Sequence, residues 1–419
     1  MNRSRGRSRE HDVVLWGATG FTGSLVAEAL VERLADTGLR LALGGRDRGK
    51  LEALRGRLAA IDPAATELPL VVADSHDRPS LDALAASADV VCTTVGPYAK
   101  HGHELVAACV DRTTDYCDLT GEVPFVRNMI DRHHDAAREV GARIVHCCGF
   151  DSVPSDLGVQ TLQEAAIERH GRPVDDITFV LGGSRGGVSG GTVASMLNVV
   201  EEARSSRELR RLLADPYALN PEGERHGPDG PDLTRPRFDP EIQRWTGPFV
   251  MASVNTRIVR RSNALLGWRY GRDFRYREVT GFQPGLRGAV AATALTAGLG
   301  ALMGALGWGP TRSLLERTVL PSPGEGPSAE TRERGYFSIT LHGRGLDRED
   351  REVCLTGKVR GDRDPGYGAT AVMLAESALC LALEGGELPS DGGVLTPAAA
   401  MGMRLVERLR RAGMVFEVR

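Results

Sequence analysis

Val13-Val14-Leu15-Trp16-Gly17-Ala18-Thr19-Gly20-Phe21-Thr22-Gly23 decides how the chain is read. The four leading residues are apolar, the composition of a buried strand. They run into G-x-x-G-x-x-G, after which Leu25, Val26, Ala29, Leu30 and Leu34 mark one face of a helix. A strand, a glycine turn and a helix in that order offer backbone N–H groups and a positive helix end to a diphosphate. The glycines allow a tight turn, a close backbone approach and close helix packing. The spacing departs from G-x-G-x-x-G. Gly17, Thr19, Gly20, Phe21, Thr22 and Gly23 are the candidate nucleotide-binding residues.

The same rhythm continues outward. Apolar runs at 39–43, 68–73, 88–95, 114–119 and 143–147 alternate with helical stretches at 50–58, 81–86, 103–110 and 124–140. Alternation at this spacing predicts parallel β-α-β units and a doubly wound Rossmann domain over 11–150, in an α/β fold. Past Phe150 the pattern changes. Strands are expected at 177–181, 250–259, 274–280, 336–341 and 353–359 without a regular helix between them. That describes a second α+β domain over 151–391 with a mostly antiparallel sheet. Within it, 182–191 is a glycine-rich turn, 192–213 a helix, and 215–240 a Pro-, Gly- and Arg-rich surface loop. Helices are expected at 369–383 and 397–412, and 392–419 is expected to pack back on the first domain.

Composition excludes several classes. With 419 residues the chain exceeds one ordinary core. Fifty-five acids against 52 lysines and arginines, net −3, argue against a nucleic-acid partner. Seven cysteines without a C-x-x-C read as reduced thiols, and His133-His134 lacks ligands at metal-site spacing, so no metal is expected. Residues 1–10 read as a disordered basic tail with no apolar segment behind it. This points to a cytoplasmic protein. Residues 288–309 carry no charge across 22 positions, the length of a bilayer core. Their leucines form one stripe among small residues, leaving three roles open: packing on protein, lining an acyl channel or resting on a membrane surface, and spanning it.

Strand ends place the chemistry, because ligands of doubly wound sheets collect beyond them. The second strand ends in Gly45-Arg46-Asp47-Arg48, followed by Lys50. Arg46 suits a 2′-phosphate, so NADPH is expected over NADH; Asp47 suits a helix N-cap. Asp74 falls on the adenine side. Gly96, Pro97 and Tyr98 fall beside the nicotinamide ribose, and Tyr98 and Lys100 are the candidate proton donors. Gly149, Phe150 and Asp151 follow the sixth strand.

GATGFTG (17–23), VGPYAKHG (95–102), YCDLTGE (116–122), CCGFDSVPSDLG (147–158), TRIVRRSNALLG (256–267), GDRDPGYGATAVMLAESALCLAL (361–383) and GGVLTPAAAMG (392–402) together resemble the saccharopine dehydrogenase-like family. The nearest subgroup is the trans-acting enoyl reductases of lipid and polyketide assembly. The resemblance implies an N-terminal Rossmann domain, a second domain that closes over the cofactor, and a C-terminal segment that returns to the first. It carries the nucleotide role onto Gly17, Gly20, Gly23, Gly96, Pro97, Tyr98, Gly149, Phe150 and Asp151. It also implies reduction of a C=C bond in a hydrophobic acyl or polyketide thioester presented by an acyl carrier protein or synthase. Arg257, Arg260 and Arg261 are candidate contacts for that carrier. Two alternatives stay open: a saccharopine-type imine or amino-acid oxidoreductase, and a non-catalytic cofactor-binding protein attached to lipid. Monomer and homo-oligomer, and peripheral membrane contact through 288–309, stay open too.

Overall fold

Arg9 donates to the Ala85 carbonyl at 2.9 Å, and β1 (His11–Trp16) follows, buried at every position. The computed structural model describes residues 9–186, 190–307, 311, 326 and 328–419. Most of the expected basic tail, 187–189 of the glycine-rich turn and 308–309 of the uncharged stretch therefore lie outside the described residues.

After β1 come α1 (Phe21–Val31), β2 (Leu41–Gly45), α2 (Arg48–Leu58), β3 (Leu70–Val72), α3 (Arg78–Ser87), β4 (Ala88–Thr93), the single turn α4 (Tyr98–His101), α5 (His103–Asp111), β5 (Asp115–Cys117), α6 (Val123–Val140) and β6 (Arg143–Val145). Asp47 caps α2 by accepting from the Lys50 N–H, as its position suggested, and Gly141 ends α6 in the left-handed conformation. The chain then passes through α7 (Val153–His170) into a second unit: β7 (Asp176–Arg185), α8 (Gly190–Ser205), β8 (Arg237–Asp239), β9 (Arg244–Pro248), α9 (Ala252–Leu265), β10 (Arg275–Phe282), α10 (Leu286–Gly307), β11 (Tyr336–Leu346) and β12 (Glu352–Gly361). A π-helical turn (Pro365–Ala369) leads to α11 (Thr370–Glu384), β13 (Gly393–Leu395), α12 (Gly402–Arg411) and β14 (Val415–Val418).

The first sheet runs β13-β6-β5-β4-β1-β2-β3 and is parallel at every pairing. Its order reverses between β1 and β4, the switch point at which such sheets place ligands. The second runs β14-β12-β11-β7-β10-β9-β8 and is antiparallel except where β7 meets β10.

Three expectations need correction. The boundaries differ: 366–412 belongs with the first unit, and 413–419 with the second. α11 is buried nearly all round, and its Glu376 is held by Arg33 at 3.1 Å and Arg408 at 2.9 Å, all within the first unit. β14, in contrast, pairs with β12 of the second sheet. The strand expected over 250–259 is helix α9. Its Arg257, Arg260 and Arg261 are buried and staple the 215–240 loop: Arg257 donates to Asp232, and also to the Leu213 carbonyl just before the loop at 3.0 Å, Arg260 to Asp229 at 2.6 Å, and Arg261 to the Leu219 carbonyl at 2.5 Å. They hold the protein's own loop, so the carrier-contact reading is withdrawn. The uncharged stretch, whose role the sequence leaves open, forms most of α10, which among the described residues packs on β9 and β10 over only part of its length. Its mean hydropathy is 1.7, yet only 11% of the span is buried, and Leu286 and Val290 are 81% and 60% exposed.

Candidate functional site

The glycine turn sits at the C-terminal end of β1. Gly17 donates to the Gly44 carbonyl at 3.0 Å, and the Gly20 N–H closes back on the Gly17 carbonyl at 3.0 Å. Gly17 has φ +84°, and a Cβ there would stand 2.6 Å from a Val95 methyl. At Gly23 a Cβ would lie 2.1 Å from the Gly17 carbonyl oxygen. These two glycines serve the close approach of α1 to the strand end. At Gly20 the nearest atom to a Cβ is 3.4 Å away, so this glycine leaves the outer face of the turn open. Helix α1 has no side-chain cap and no acid in its first turn. Its first N–H groups thus favour an anion, as a diphosphate site requires. Phe21 and Thr22 form the first turn, and the Phe21 ring meets the edge of Tyr367, 5.2 Å between centroids, from the π-helical turn. Thr19 lies in the same turn between β1 and α1.

Arg46, one residue past β2, is exposed and has no ion-pair partner among the described residues. Asp74 follows β3; its carboxylate accepts from the His76 N–H at 2.9 Å. His76 and His101 were not singled out by sequence reasoning, yet their rings are in contact beside this point. Gly96 and Pro97, joined by a cis peptide, lead from β4 into α4.

Tyr98 does not stand as a proton donor would. It is buried, its hydroxyl donates to the Thr93 carbonyl at 3.2 Å, and its ring packs on Phe125. Burial, reinforced by the charge of Asp118, pushes its phenol well above the usual range. The catalytic reading of Tyr98 is therefore withdrawn, because a single helical turn directs its ring inward. Lys100, two residues on, is exposed.

Two acids to which the sequence alone assigns no role organise these loops. Glu122, buried after β5, accepts from the backbone N–H of Tyr98 and of Ala99, both at 2.9 Å. It thereby caps α4 from a neighbouring loop. Asp118, fully buried, accepts from the Tyr116 hydroxyl (2.8 Å), His146 Nδ1 (2.7 Å) and the N–H groups of Thr120 and Cys147 (both 3.1 Å). The short segment after β5 thus grips the loop after β4 with one acid and the loop after β6 with the other. Glu122→Gln is expected to cost about 1–3 kcal/mol in denaturant unfolding, because its NH2 turns a donor toward a buried N–H. A loss under 0.5 kcal/mol would show that the loop finds another anchor.

Beyond β6, Gly149 lies against Thr370 and Leu119: a Cβ would meet Thr370 at 3.2 Å. The Phe150 N–H donates to the Thr370 hydroxyl at 3.0 Å. Asp151 is half-buried, and desolvation raises its carboxyl to about 6. Cys147 and Cys148 are buried, and burial pushes the Cys147 thiol well up, the opposite of a reactive thiolate.

The second unit holds a cavity of about 530 Å³ lined by the 228–241 segment and β10. Its charges are mostly paired with each other, Arg260 with Asp229 at 2.6 Å and Arg277 with Asp239 at 2.7 Å.

No family model matches the chain. The histidine-tagged apo saccharopine dehydrogenase (L-Glu forming) of Saccharomyces cerevisiae shares the fold, at TM-score 0.53 and 13% identity, over 98% of this chain and 99% of that one. A parallel sheet in this order, with a glycine turn at its first strand end, defines a Rossmann fold, and the relatives that follow place the chain among oxidoreductases. A trans-acting enoyl reductase of Mycobacterium tuberculosis (strain ATCC 25618 / H37Rv) is 44% identical over 97% of this chain and 97% of its own length. A second chain of that strain, described provisionally in the same words, is 46% identical over 98% and 97%. A trans-acting enoyl reductase of Mycobacterium ulcerans (strain Agy99) is 43% identical over 97% of each. This chain belongs to the trans-acting enoyl reductase family.

Proposed function

We propose that the protein is an NADPH-dependent enoyl reductase that acts in trans on a hydrophobic acyl or polyketide thioester held by an acyl carrier protein or synthase. The family membership supports the reaction class. The observation that carries the cofactor reading is the α1 N-terminus without a side-chain cap, behind an open glycine turn, with Arg46 at the next strand end exposed and without an ion-pair partner among the described residues.

In this reading Gly17, Thr19, Gly20, Phe21, Thr22 and Gly23 cradle the diphosphate and Arg46 pairs with the 2′-phosphate. Asp74 borders the adenosine. Gly96, Pro97 and the Tyr98 backbone flank the nicotinamide ribose, with Gly149, Phe150 and Asp151 across from them. When bound, NADPH supplies a hydride to the β carbon of the enoyl group, and the α carbon takes a proton. The chain's part is to fix the loops that hold the reactants, which Glu122 and Asp118 do through backbone N–H groups. Lys100 and solvent are the proton sources left once the Tyr98 hydroxyl is committed to Thr93.

The test is NADPH oxidation measured with a carrier-bound enoyl thioester, with a keto acid plus amine, and with neither. Consumption only with the enoyl substrate supports the reading; consumption with the keto acid and amine overturns it. Arg46→Ala is expected to raise the KM for NADPH about tenfold or more, the worth of one charge-assisted contact, and to leave that for NADH unchanged. An unchanged NADPH value would remove Arg46 from the phosphate site.

A further inference from the structure

The ends of β2, β3 and β4 gather more basic side chains than one phosphate contact needs. Arg46 follows β2, His76 lies beyond β3, and Lys100 and His101 sit on α4. The imidazoles of His76 and His101 meet edge to face, 5.4 Å between centroids at 70°. Arg46, His76 and Lys100 are exposed and His101 is half-buried, so the cluster is accessible. The groups facing His101 are His76 and Asp74 from the loop after β3, Arg46 from the loop after β2 and Lys100 from its own turn. Burial, then the charges of His76, Arg46 and Lys100, hold the His101 imidazole below its ordinary value, with only Asp74 opposing.

The His101 imidazole, in contact with that of His76 and beside the Arg46 and Lys100 cations, repels a proton. A dianion placed among them reverses that sign, because an opposite charge within a few ångströms favours the charged imidazole. The cluster also sits where the proposed cofactor reading puts the adenosine end. Resting on that reading, we propose that His101 and His76 complete the 2′-phosphate pocket with Arg46 and bind the phosphomonoester with uptake of a proton, so that preference for the phosphorylated cofactor rises as pH falls.

The sign follows from linkage. Bound phosphate raises the imidazole's proton affinity, so between its free and bound values binding takes up a proton and weakens as pH rises. The phosphomonoester itself loses a proton near pH 6, which acts the opposite way but equally for every variant. The informative quantity is therefore the difference between variant and wild type.

Calorimetry of NADPH and NADH binding at pH 7, in two buffers of different ionisation enthalpy, reads the proton directly. The wild type is expected to take up about half a proton with NADPH and none with NADH. In His101→Gln and in the His76→Gln/His101→Gln pair, uptake should vanish. The ratio of variant to wild-type Kd for NADPH should rise about tenfold between pH 8.5 and pH 6, the equivalent of one pKa unit. Binding of NADPH without proton uptake, or uptake that survives in the double variant, overturns the proposal. Failure of the wild type to bind NADPH at any pH overturns instead the cofactor reading beneath it. Should His101→Gln prove unfolded by its thermal transition, His101→Asn, which also removes the imidazole, carries the same comparison.

Discussion

Gly23→Ala is expected to lower NADPH affinity about 100-fold, the loss that a misplacement near 1 Å produces in a tightly positioned site. The added methyl would stand 2.1 Å from the Gly17 carbonyl oxygen, 2.9 Å from its carbon and 2.9 Å from the Thr94 hydroxyl. The first two are backbone atoms that cannot rotate away. Gly17 is itself tied to the Gly44 carbonyl, and Thr94 donates to the Gly17 carbonyl at 3.2 Å. Helix α1 must therefore withdraw from the strand end, carrying its first N–H groups off the diphosphate path. Overpacking of this kind also costs about 1–3 kcal/mol of stability. The same methyl at Gly20 finds no atom closer than 3.4 Å, so Gly20→Ala should leave the fold intact and affect only ligand approach. NADPH fluorescence titration of both variants, with thermal unfolding alongside, separates the two effects. A Gly23→Ala chain that binds within threefold of wild type would show that α1 tolerates the shift.

The glycine turn was legible because its signal is local: a buried run, three glycines and an amphipathic stripe occupy one stretch of chain. Arg46 and the capping role of Asp47 were legible for the same reason, since position after a strand fixes both. Glu122 and Asp118 were not. In sequence they are polar residues beyond an apolar run, and their partners exist only because β5 lies between β4 and β6. The interior course of Tyr98 was likewise hidden, because nearness to Lys100 in sequence says nothing of which way one helical turn aims a ring. In α9 the β-branched Val254, Ile258 and Val259 suggested a strand, but Arg257, Arg260 and Arg261 recur at three and one residues on a single helical face, the period that should have prevailed. α11 was legible as a helix, yet the unit it joins was not, since return of the chain after 365 residues is a matter of topology. β13 is three residues long, too short to show a period at all.

Asp118→Ala is expected to cost about 3–5 kcal/mol, the penalty for removing the acceptor from a buried cluster of donors. Its four partners are the Tyr116 hydroxyl, His146 Nδ1 and the N–H groups of Thr120 and Cys147. A carboxylate is acceptor-only, so this network makes Nδ1 the donating nitrogen of His146, while Nε2 is buried with no hydrogen-bond partner among the described residues. Asp118→Asn is the sharper comparison. Its amide oxygen can keep the Thr120 and Cys147 N–H groups, while its NH2 must donate toward His146 and Tyr116. Nδ1 must then accept rather than donate, which leaves any ring proton to the buried, partnerless Nε2, at about 1–3 kcal/mol. The Asn variant should therefore fall between wild type and Ala. Cys147 stands at φ +65°, an uncommon conformation for a residue with a side chain, and its N–H bond to Asp118 is part of what holds it there. Loss of that bond in the Ala variant should release the loop carrying Gly149 and Phe150 before the sheet unfolds. Amide exchange at 147–151 would then rise ahead of exchange in β1. Equal costs for Ala and Asn, or exchange that rises together throughout, would show that Asp118 acts only as one more buried polar group.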